Sequence, residues 1–132
     1  MPVVLEHITQ PTSDDWDDLE KIRADTGATP DALGFRSTRQ DLEGKLNNDF
    51  WILAGRFNDR LVGAMLVTRQ GNELELSQAG VRTITQRKGV LHQLLFLLDR
   101  WTTEHGLSVY VQADDMHEEL KKALARRNVD VR

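Results

Sequence analysis

A change of hydrophobic period in the second half of the chain constrains the fold most strongly. Glu73–Val81 begins with strict apolar and polar alternation, which predicts a half-buried strand. From Gly89 to Trp101 the apolar side chains recur at helical spacing, and Leu107–Gln112 is a nearly continuous apolar run typical of a strand covered on both faces. Because a helix separates these two strands, we expect them to be parallel neighbours joined by a crossover.

Shorter connections organise the rest of the chain into a single predicted domain, residues 1–132. Phe50–Phe57 and Leu61–Thr68 are separated by an Asn58-Asp59 turn and predict antiparallel neighbours. The other predicted elements are a strand at Val3–Ile8, helices beginning after Thr12 or Ser13, after Ser37-Thr38 and after Asp114-Asp115, and a short strand within Asn128–Arg132. The order β-α-α-β-β-β-α-β-α-(β) indicates an α/β (α+β) fold with a mixed, mostly antiparallel sheet.

The composition excludes several classes of function. The chain has no cysteine, which excludes a disulfide framework, a thiolate metal site and a cysteine nucleophile. Its 17 basic and 21 acidic residues give a net charge of −4, which argues against a general nucleic-acid-binding surface. We find no signal-peptide pattern, no apolar run of the ~18 residues that a membrane span needs, and no metal-ligand spacing, so we expect a cytoplasmic protein.

A basic loop follows the strand that begins at Glu73. Arg82, Arg87 and Lys88 lie between this strand and the amphipathic helix, in a chain that is acidic overall. Backbone N–H groups at a helix N-terminus bind anions, and Gly89 allows a ligand to approach the backbone closely. The pattern fits a phosphate-binding loop, but solvated turns commonly have the same composition. The loop by itself leaves both interpretations open.

On this crossover the loop resembles that of the Gcn5-related N-acetyltransferase (GNAT) family. The family loop, Arg/Gln-x-x-Gly-x-Gly/Ala, cradles the pyrophosphate of acetyl-CoA, and Gln86-Arg87-Lys88-Gly89 matches its first half. The resemblance implies a GNAT fold and acetyl-CoA or CoA as the cofactor, with the strand end facing the acetyl and pantetheine arm and the loop wrapping the pyrophosphate. The cofactor-binding residues that it implies are Ala79, Gly80, Val81, Thr85, Gln86, Arg87, Lys88, Gly89, Val90, Leu91 and His92.

Leu91 departs from the family pattern because it occupies the second small position of the loop. Its side chain either crowds the pyrophosphate or joins the apolar stripe of the helix beside Leu95. The second interpretation is favoured, since the backbone N–H of Leu91 stays available whatever the side chain. His92, in the same first turn, either touches phosphate or faces solvent.

A closer resemblance is to the PanZ (PanM) family, small GNAT-fold activators of aspartate 1-decarboxylase maturation in bacterial pantothenate synthesis. The most specific segments are Arg56-Phe57-Asn58-Asp59-Arg60-Leu61 and Arg87-Lys88-Gly89-Val90. The resemblance implies that acetyl-CoA binds the chain and that the complex docks onto the aspartate 1-decarboxylase proenzyme and favours its self-cleavage. Arg56 and Arg60 are then candidate partner-binding residues, or else ordinary hairpin charges.

Direct acetyl transfer needs a base for the amine and usually an acid for the CoA thiolate. The one tyrosine, Tyr110, lies within the fifth strand, a position that favours a core or sheet-face role. In the GNAT family, the tyrosine that acts as the acid usually lies in the next helix, around the position of His117. Glu73 and Glu75 are explained equally well as solvated strand residues. We therefore predict no catalytic residues and favour a regulator; the alternatives are an active N-acetyltransferase for a small amine or peptide amine, and a degenerate interaction domain.

Three expectations concern the first helix, the histidines and the last strand. The acidic run Asp14, Asp15, Asp17, Asp18 and Glu20 is expected to be the solvated side of the first helix. His7 and His105 are expected at the surface. Asn128-Val129 stands where GNAT chains usually have Gly-Phe before two closing strands, so the last strand is expected to be missing or supplied by a partner. The chain is expected to be a monomer or a weak dimer.

Overall fold

The sheet of this protein has six strands that lie side by side in chain order. The computed structural model describes residues 3–26, 34–83, 90–112 and 118–132. The strands are β1 (Val4–Ile8), β2 (Phe50–Phe57), β3 (Arg60–Gln70), β4 (Glu73–Val81), β5 (Ser108–Val111) and β6 (Val129–Val131). The helices of the described ranges are α1 (Ser13–Thr26), α2 (Arg39–Leu42), α3 (Val90–Glu104) and α4 (Glu118–Arg126). The predicted element order and mixed sheet are confirmed.

Strand direction changes once across the sheet. Strands β1 to β4 pair antiparallel, whereas β4 with β5 and β5 with β6 pair parallel. The β2–β3 hairpin closes through Asn58 and Asp59, whose φ angles of 49° and 65° fit a two-residue type I′ turn. Helix α3 is the predicted crossover between the parallel strands β4 and β5.

The short strand predicted within Asn128–Arg132 is confirmed as β6. Val129 pairs with Val109 and Val131 with Val111, which places β6 beside β5 within the same chain. Asn128 follows α4 with a φ of 63°, a left-handed conformation that ends a helix and reverses the chain. Its side-chain amide also donates to the carboxylate of Asp99 on α3. This anchored reversal sends the short final segment back along the sheet.

Helices cover both faces of the sheet, and each face has its own apolar core. Alternate residues of β2 belong to different cores: Trp51 and Leu53 pack with α3 and α4, and Ile52 and Ala54 pack with α1. This division follows from the period of two along a strand, which directs successive side chains to opposite faces. The core on the α3 side includes Leu94, Leu95, Leu98 and Leu124, and the core on the α1 side includes Trp16, Leu19, Ile22 and Phe35.

The acidic run of α1 is only partly solvated, which corrects the expectation for two of its members. Asp15 and Asp18 are 5% and 3% exposed, whereas Asp14, Asp17 and Glu20 are exposed. The start of the helix explains part of this burial. The backbone N–H of Asp15 donates to the Thr12 hydroxyl at 3.1 Å, and the Asp15 carboxylate accepts from the Thr12 N–H at 3.2 Å. Of the two predicted caps, Thr12 or Ser13, Thr12 caps the helix in a reciprocal arrangement with Asp15.

Within the described ranges, no helix is both long enough and apolar enough to cross a membrane.

Candidate cofactor-binding site at the fork of the sheet

Strands β4 and β5 run together for a short distance and then separate. They pair only at Glu73 with Ser108, Leu74 with Val109 and Glu75 with Tyr110. Strand β4 continues to Val81, and among the described residues β5 offers it no partner beyond Glu75. The edge of β4 that faces away from β3 is thus left without a neighbouring strand of the sheet over residues 76–81. We call this opening the fork.

A β-bulge on β4 lies where the fork opens. Leu76 pairs with Val67 and Gln78 pairs with Leu66, so Ser77 is an extra residue on β4. The Ser77 hydroxyl donates to the Leu66 carbonyl at 3.1 Å, which holds the extra residue against β3. A bulge bends the strand that carries it and increases its local twist. Ser77 therefore accounts for β4 turning away from β5 at this point.

The fork contains the strand residues that the sequence singled out. Ala79, Gly80 and Val81 are buried at the end of β4, and β3 pairs with all three through Met65, Ala64 and Gly63. Thr85, Gln86, Arg87, Lys88 and Gly89 lie outside the described residues. Helix α3 then begins at Val90, which is fully buried, while Leu91 is half-buried and His92 is exposed.

Leu91 packs against the core on the α3 side. The interpretation that it joins the apolar stripe of the helix is therefore confirmed. Leu95, one turn along, is buried in the same core.

An ion pair connects α1 to the loop that leaves β4. The Asp25 carboxylate accepts from the backbone N–H of Thr83 at 2.9 Å and from the guanidinium of Arg82 at 2.8 Å. The Thr83 N–H, followed by Arg82, holds the pKa of Asp25 below its usual range. Arg82 is thus paired with a carboxylate as the loop begins. Asp25 was not singled out in the sequence because 57 residues separate it from Arg82.

A family model matches nearly the whole chain. The model of the PanZ acetyltransferase (GNAT) domain matches residues 2–130. The chain belongs to the PanZ family. Among curated proteins, the PanD regulatory factor of Escherichia coli (strain K12) is 37% identical over 70 residues, which are 53% of this chain. The match spans about half of that protein's length, 54%.

Solved structures show the GNAT fold of this PanZ-family chain. The ribosomal-protein-S18-alanine N-acetyltransferase of Escherichia coli is similar with a TM-score of 0.70 and 14% identity, covering 95% of this chain and 75% of that one. A putative N-acetyltransferase of Escherichia coli, solved with coenzyme A bound, has a TM-score of 0.62 and 22% identity over 96% and 86% of the two chains. An aminoglycoside acetyltransferase from an uncultured soil sample, in complex with sisomicin, has a TM-score of 0.63 and 21% identity over 96% and 86%. GNAT-fold neighbours are thus known with coenzyme A bound.

The narrow end of the fork in this PanZ-family chain is polar. The Tyr110 hydroxyl donates to the Glu75 carboxylate at 2.9 Å, and this hydrogen bond is the main reason why the pKa of Tyr110 is raised. Arg132 lies over the Tyr110 ring, 4.1 Å from its centroid, and pairs with Glu73 and Asp130. Tyr110 is 8% exposed. The expected core or sheet-face position of Tyr110 is confirmed.

The two hairpin arginines of the family-like segment contact α1. Arg56 donates to Glu6 at 2.7 Å and to Asp15 at 3.1 Å, and its third contact is the Asp59 carbonyl at 3.1 Å. Arg60 binds Asp18, yet 52% of its side chain is exposed. Arg56 is therefore largely committed within the chain, whereas Arg60 also presents surface to solvent.

In the part of the chain that the structure describes, the histidines do not belong to any group of side chains that could hold a metal ion. His7 and His105 are at the surface, as expected, where they stack on Trp51 and Trp101 respectively. Partial burial lowers the pKa of His7. His117, considered as an acid, lies outside the described residues.

Proposed function

We propose that this PanZ-family protein binds acetyl-CoA or CoA at the fork. The observation that carries the proposal is the β4 edge without a strand partner, residues 76–81, which leads directly into the basic loop and the start of α3. The pantetheine arm carries two amides that can pair with backbone groups as a strand would, and the thioester it ends in supplies the acetyl group when acetyl-CoA is bound. The edge of β4 that faces the fork fits such a chain. Backbone N–H groups of the loop and of the first turn of α3 suit the pyrophosphate.

In this proposal each part of the chain has a separate task. Ala79, Gly80 and Val81 orient the acetyl and pantetheine arm, and the segment from Thr85 to His92 binds the pyrophosphate. Arg87 and Lys88 provide the cationic side chains, because Arg82 is already paired with Asp25. The buried start of α3 at Val90 keeps that turn in a fixed position against the core.

The bound complex acts as a regulator of the aspartate 1-decarboxylase proenzyme. This step rests on membership of the PanZ family and on the similarity to the PanD regulatory factor. Docking favours the self-cleavage that matures the proenzyme. The exposed part of Arg60 is available for partner contact. Arg56 holds the same hairpin in place through its ion pairs with Glu6 and Asp15.

An active N-acetyltransferase is the alternative, and the Glu75–Tyr110 pair is the observation that bears on it. Glu75 is a carboxylate at the narrow end of the fork, where a base for an amine is needed. The Tyr110 hydroxyl donates to Glu75, and the Tyr110 ring is covered by Arg132. Among the described residues, this leaves no exposed side chain at this point to protonate the departing CoA thiolate. The regulator is therefore the function that the site supports better.

One experiment separates the two functions. Purified proenzyme is incubated with this protein, with and without acetyl-CoA, and chain cleavage and free thiol are both followed in time. Faster cleavage that needs both components, without thiol release, is the expected result. Unchanged cleavage with thiol release on addition of an amine would establish the acetyltransferase instead.

A further inference from the structure

A short segment of the chain lies against the edge of β4 that faces the fork. Residues 34–37, which we call the strap, follow the described part of α1 and precede α2. Gly34 forms an isolated antiparallel bridge with Ala79. A strand has two edges, and β3 already takes one of them at Ala79 through Met65. Gly34 must therefore pair with the edge that faces the fork.

The side chain of Gln78 holds the strap in place. Its amide oxygen accepts the backbone N–H of Arg36 at 2.7 Å and that of Ser37 at 3.0 Å. Its amide nitrogen donates to the Ser37 hydroxyl at 2.9 Å. One residue of β4 thus satisfies three polar groups of the strap.

The strap is also packed closely against α1 and β4. The backbone N–H of Phe35 donates to the Thr26 hydroxyl at 2.9 Å, and the Phe35 side chain is fully buried. A Cβ added to Gly80 would lie 2.5 Å from the Thr26 hydroxyl oxygen and 3.1 Å from the Phe35 nitrogen. A Cβ on Gly34 would lie 2.6 Å from the Thr26 carbonyl oxygen. The short distance from Gly80 to the Phe35 nitrogen shows that the strap lies directly against β4.

We propose that the strap and the pantetheine arm of acetyl-CoA compete for the same edge of β4 at Ala79. This inference rests on the proposed cofactor site. The fork-facing edge of β4 at Ala79 has room for one neighbouring chain at a time, so it pairs with Gly34 or with the ligand. Gln78 is then a positioning residue that favours the strap, and the ligand binds only as the strap leaves β4. The measured affinity is then the intrinsic affinity multiplied by the fraction of molecules in which the strap has left β4.

The test is the affinity of the Gln78→Ala variant for acetyl-CoA, measured by calorimetry on the full chain. Loss of the amide oxygen that accepts both N–H groups weakens the strap, and we expect the affinity to increase about tenfold, the equivalent of one or two backbone hydrogen bonds. Gln70→Ala, which removes an exposed glutamine at the end of β3, is the matched control and should bind like the wild type. Ser37→Ala keeps both N–H contacts and should give a smaller increase. A purely structural role for Gln78 predicts unchanged or weaker binding, and either result would overturn the competition.

Amide hydrogen exchange of the wild type gives a second, independent readout. On addition of acetyl-CoA the amides of Arg36 and Ser37 should exchange faster, because they lose the Gln78 oxygen. Slower exchange would show that the strap stays on β4 and forms one side of the ligand site, and this result would contradict the inference. If the wild type shows no calorimetric binding of acetyl-CoA at all, the proposed cofactor site itself fails. Binding with unchanged exchange rejects the competition alone.

Discussion

The Asp18 carboxylate on α1 binds the guanidinium of Arg60 and the backbone N–H of Leu61 at the same time. Arg60 Nε is 3.0 Å from both carboxylate oxygens, and the Leu61 nitrogen is 3.0 Å from one of them. Asp18 is buried although it carries a charge. A buried charge is stable only when it is paired and hydrogen-bonded, so Asp18 fixes the β2–β3 hairpin to α1.

Replacing Asp18 with asparagine should destabilise the protein. Asn retains the shape but loses the charge that Arg60 and Leu61 bind, and we expect the free energy of unfolding to fall by about 1–3 kcal/mol. Asp17→Asn is the control, because Asp17 is exposed on the same helix and should change stability by less than about 0.5 kcal/mol. Urea unfolding of the three proteins measures the difference, and equal midpoints would contradict a stabilising role for the pair.

The same carboxylate predicts how stability depends on pH. Burial acts to raise the pKa of Asp18, but the hydrogen bonds from Arg60 and Leu61 outweigh it, and the net pKa is lowered. Because the folded pKa lies below the unfolded value of about 3.9, the stabilisation is complete above that pH and is lost as pH falls through the folded pKa. Between about pH 5 and pH 2 the wild type should lose stability more steeply than Asp18→Asn. Parallel curves would show that Asp18 is not responsible.

The hairpin turn can be improved. Asp59 has a φ of 65°, a conformation that glycine adopts without steric cost, and a type I′ turn prefers Asn-Gly. Asp59→Gly should raise the free energy of unfolding by about 0.5–1 kcal/mol, since the backbone carbonyl that Arg56 uses is retained. Asp49→Gly is the control, because Asp49 has no positive φ and the added chain freedom should destabilise it. A lower melting temperature for Asp59→Gly would contradict this reading of the turn.

Charge reversal in the loop should weaken the binding of phosphate-bearing ligands alone. We expect Arg87→Glu with Lys88→Glu to reduce CoA affinity at least about tenfold, because hydrogen bonds to charged groups are worth about 1.5–3 kcal/mol. Pantetheine, which has no pyrophosphate, should bind both proteins equally. The control is Lys122→Glu with Arg126→Glu, the same charge change on the exposed side of α4. Unaltered CoA affinity in the loop variant would place the phosphate site elsewhere.

Local patterns were sufficient to predict the elements of the fold. The bounds of β2 and β4 are those predicted from apolar density and alternation, and the turn at Asn58-Asp59 follows from residue types alone. The short strand within Asn128–Arg132 was predicted as well and is β6, although residue types alone did not show that Asn128 takes a left-handed conformation before it.

Local sequence patterns did not predict the contacts between residues that are far apart in the chain. Asp15 and Asp18 have the composition of a solvated face, and only the return of the chain at Arg56 and Arg60, about forty residues later, buries them. Gln78 is similar, since its partners Arg36 and Ser37 lie in a loop with no periodic signal. The strap was missed in the sequence for that reason. Such contacts depend on how the elements pack, and polar residue types alone do not specify their partners.

The separation of β4 from β5 has a consequence for the amount of protein in the cell. A sheet that a metabolite completes is less stable without it, and a ligand that binds only the folded state stabilises that state by mass action. If acetyl-CoA occupies the fork, then scarcity of acetyl-CoA leaves more of the chain open to proteolysis, and the steady-state level of the protein falls with it. The supply of the metabolite would then determine how many copies of the regulator persist as well as how many are engaged.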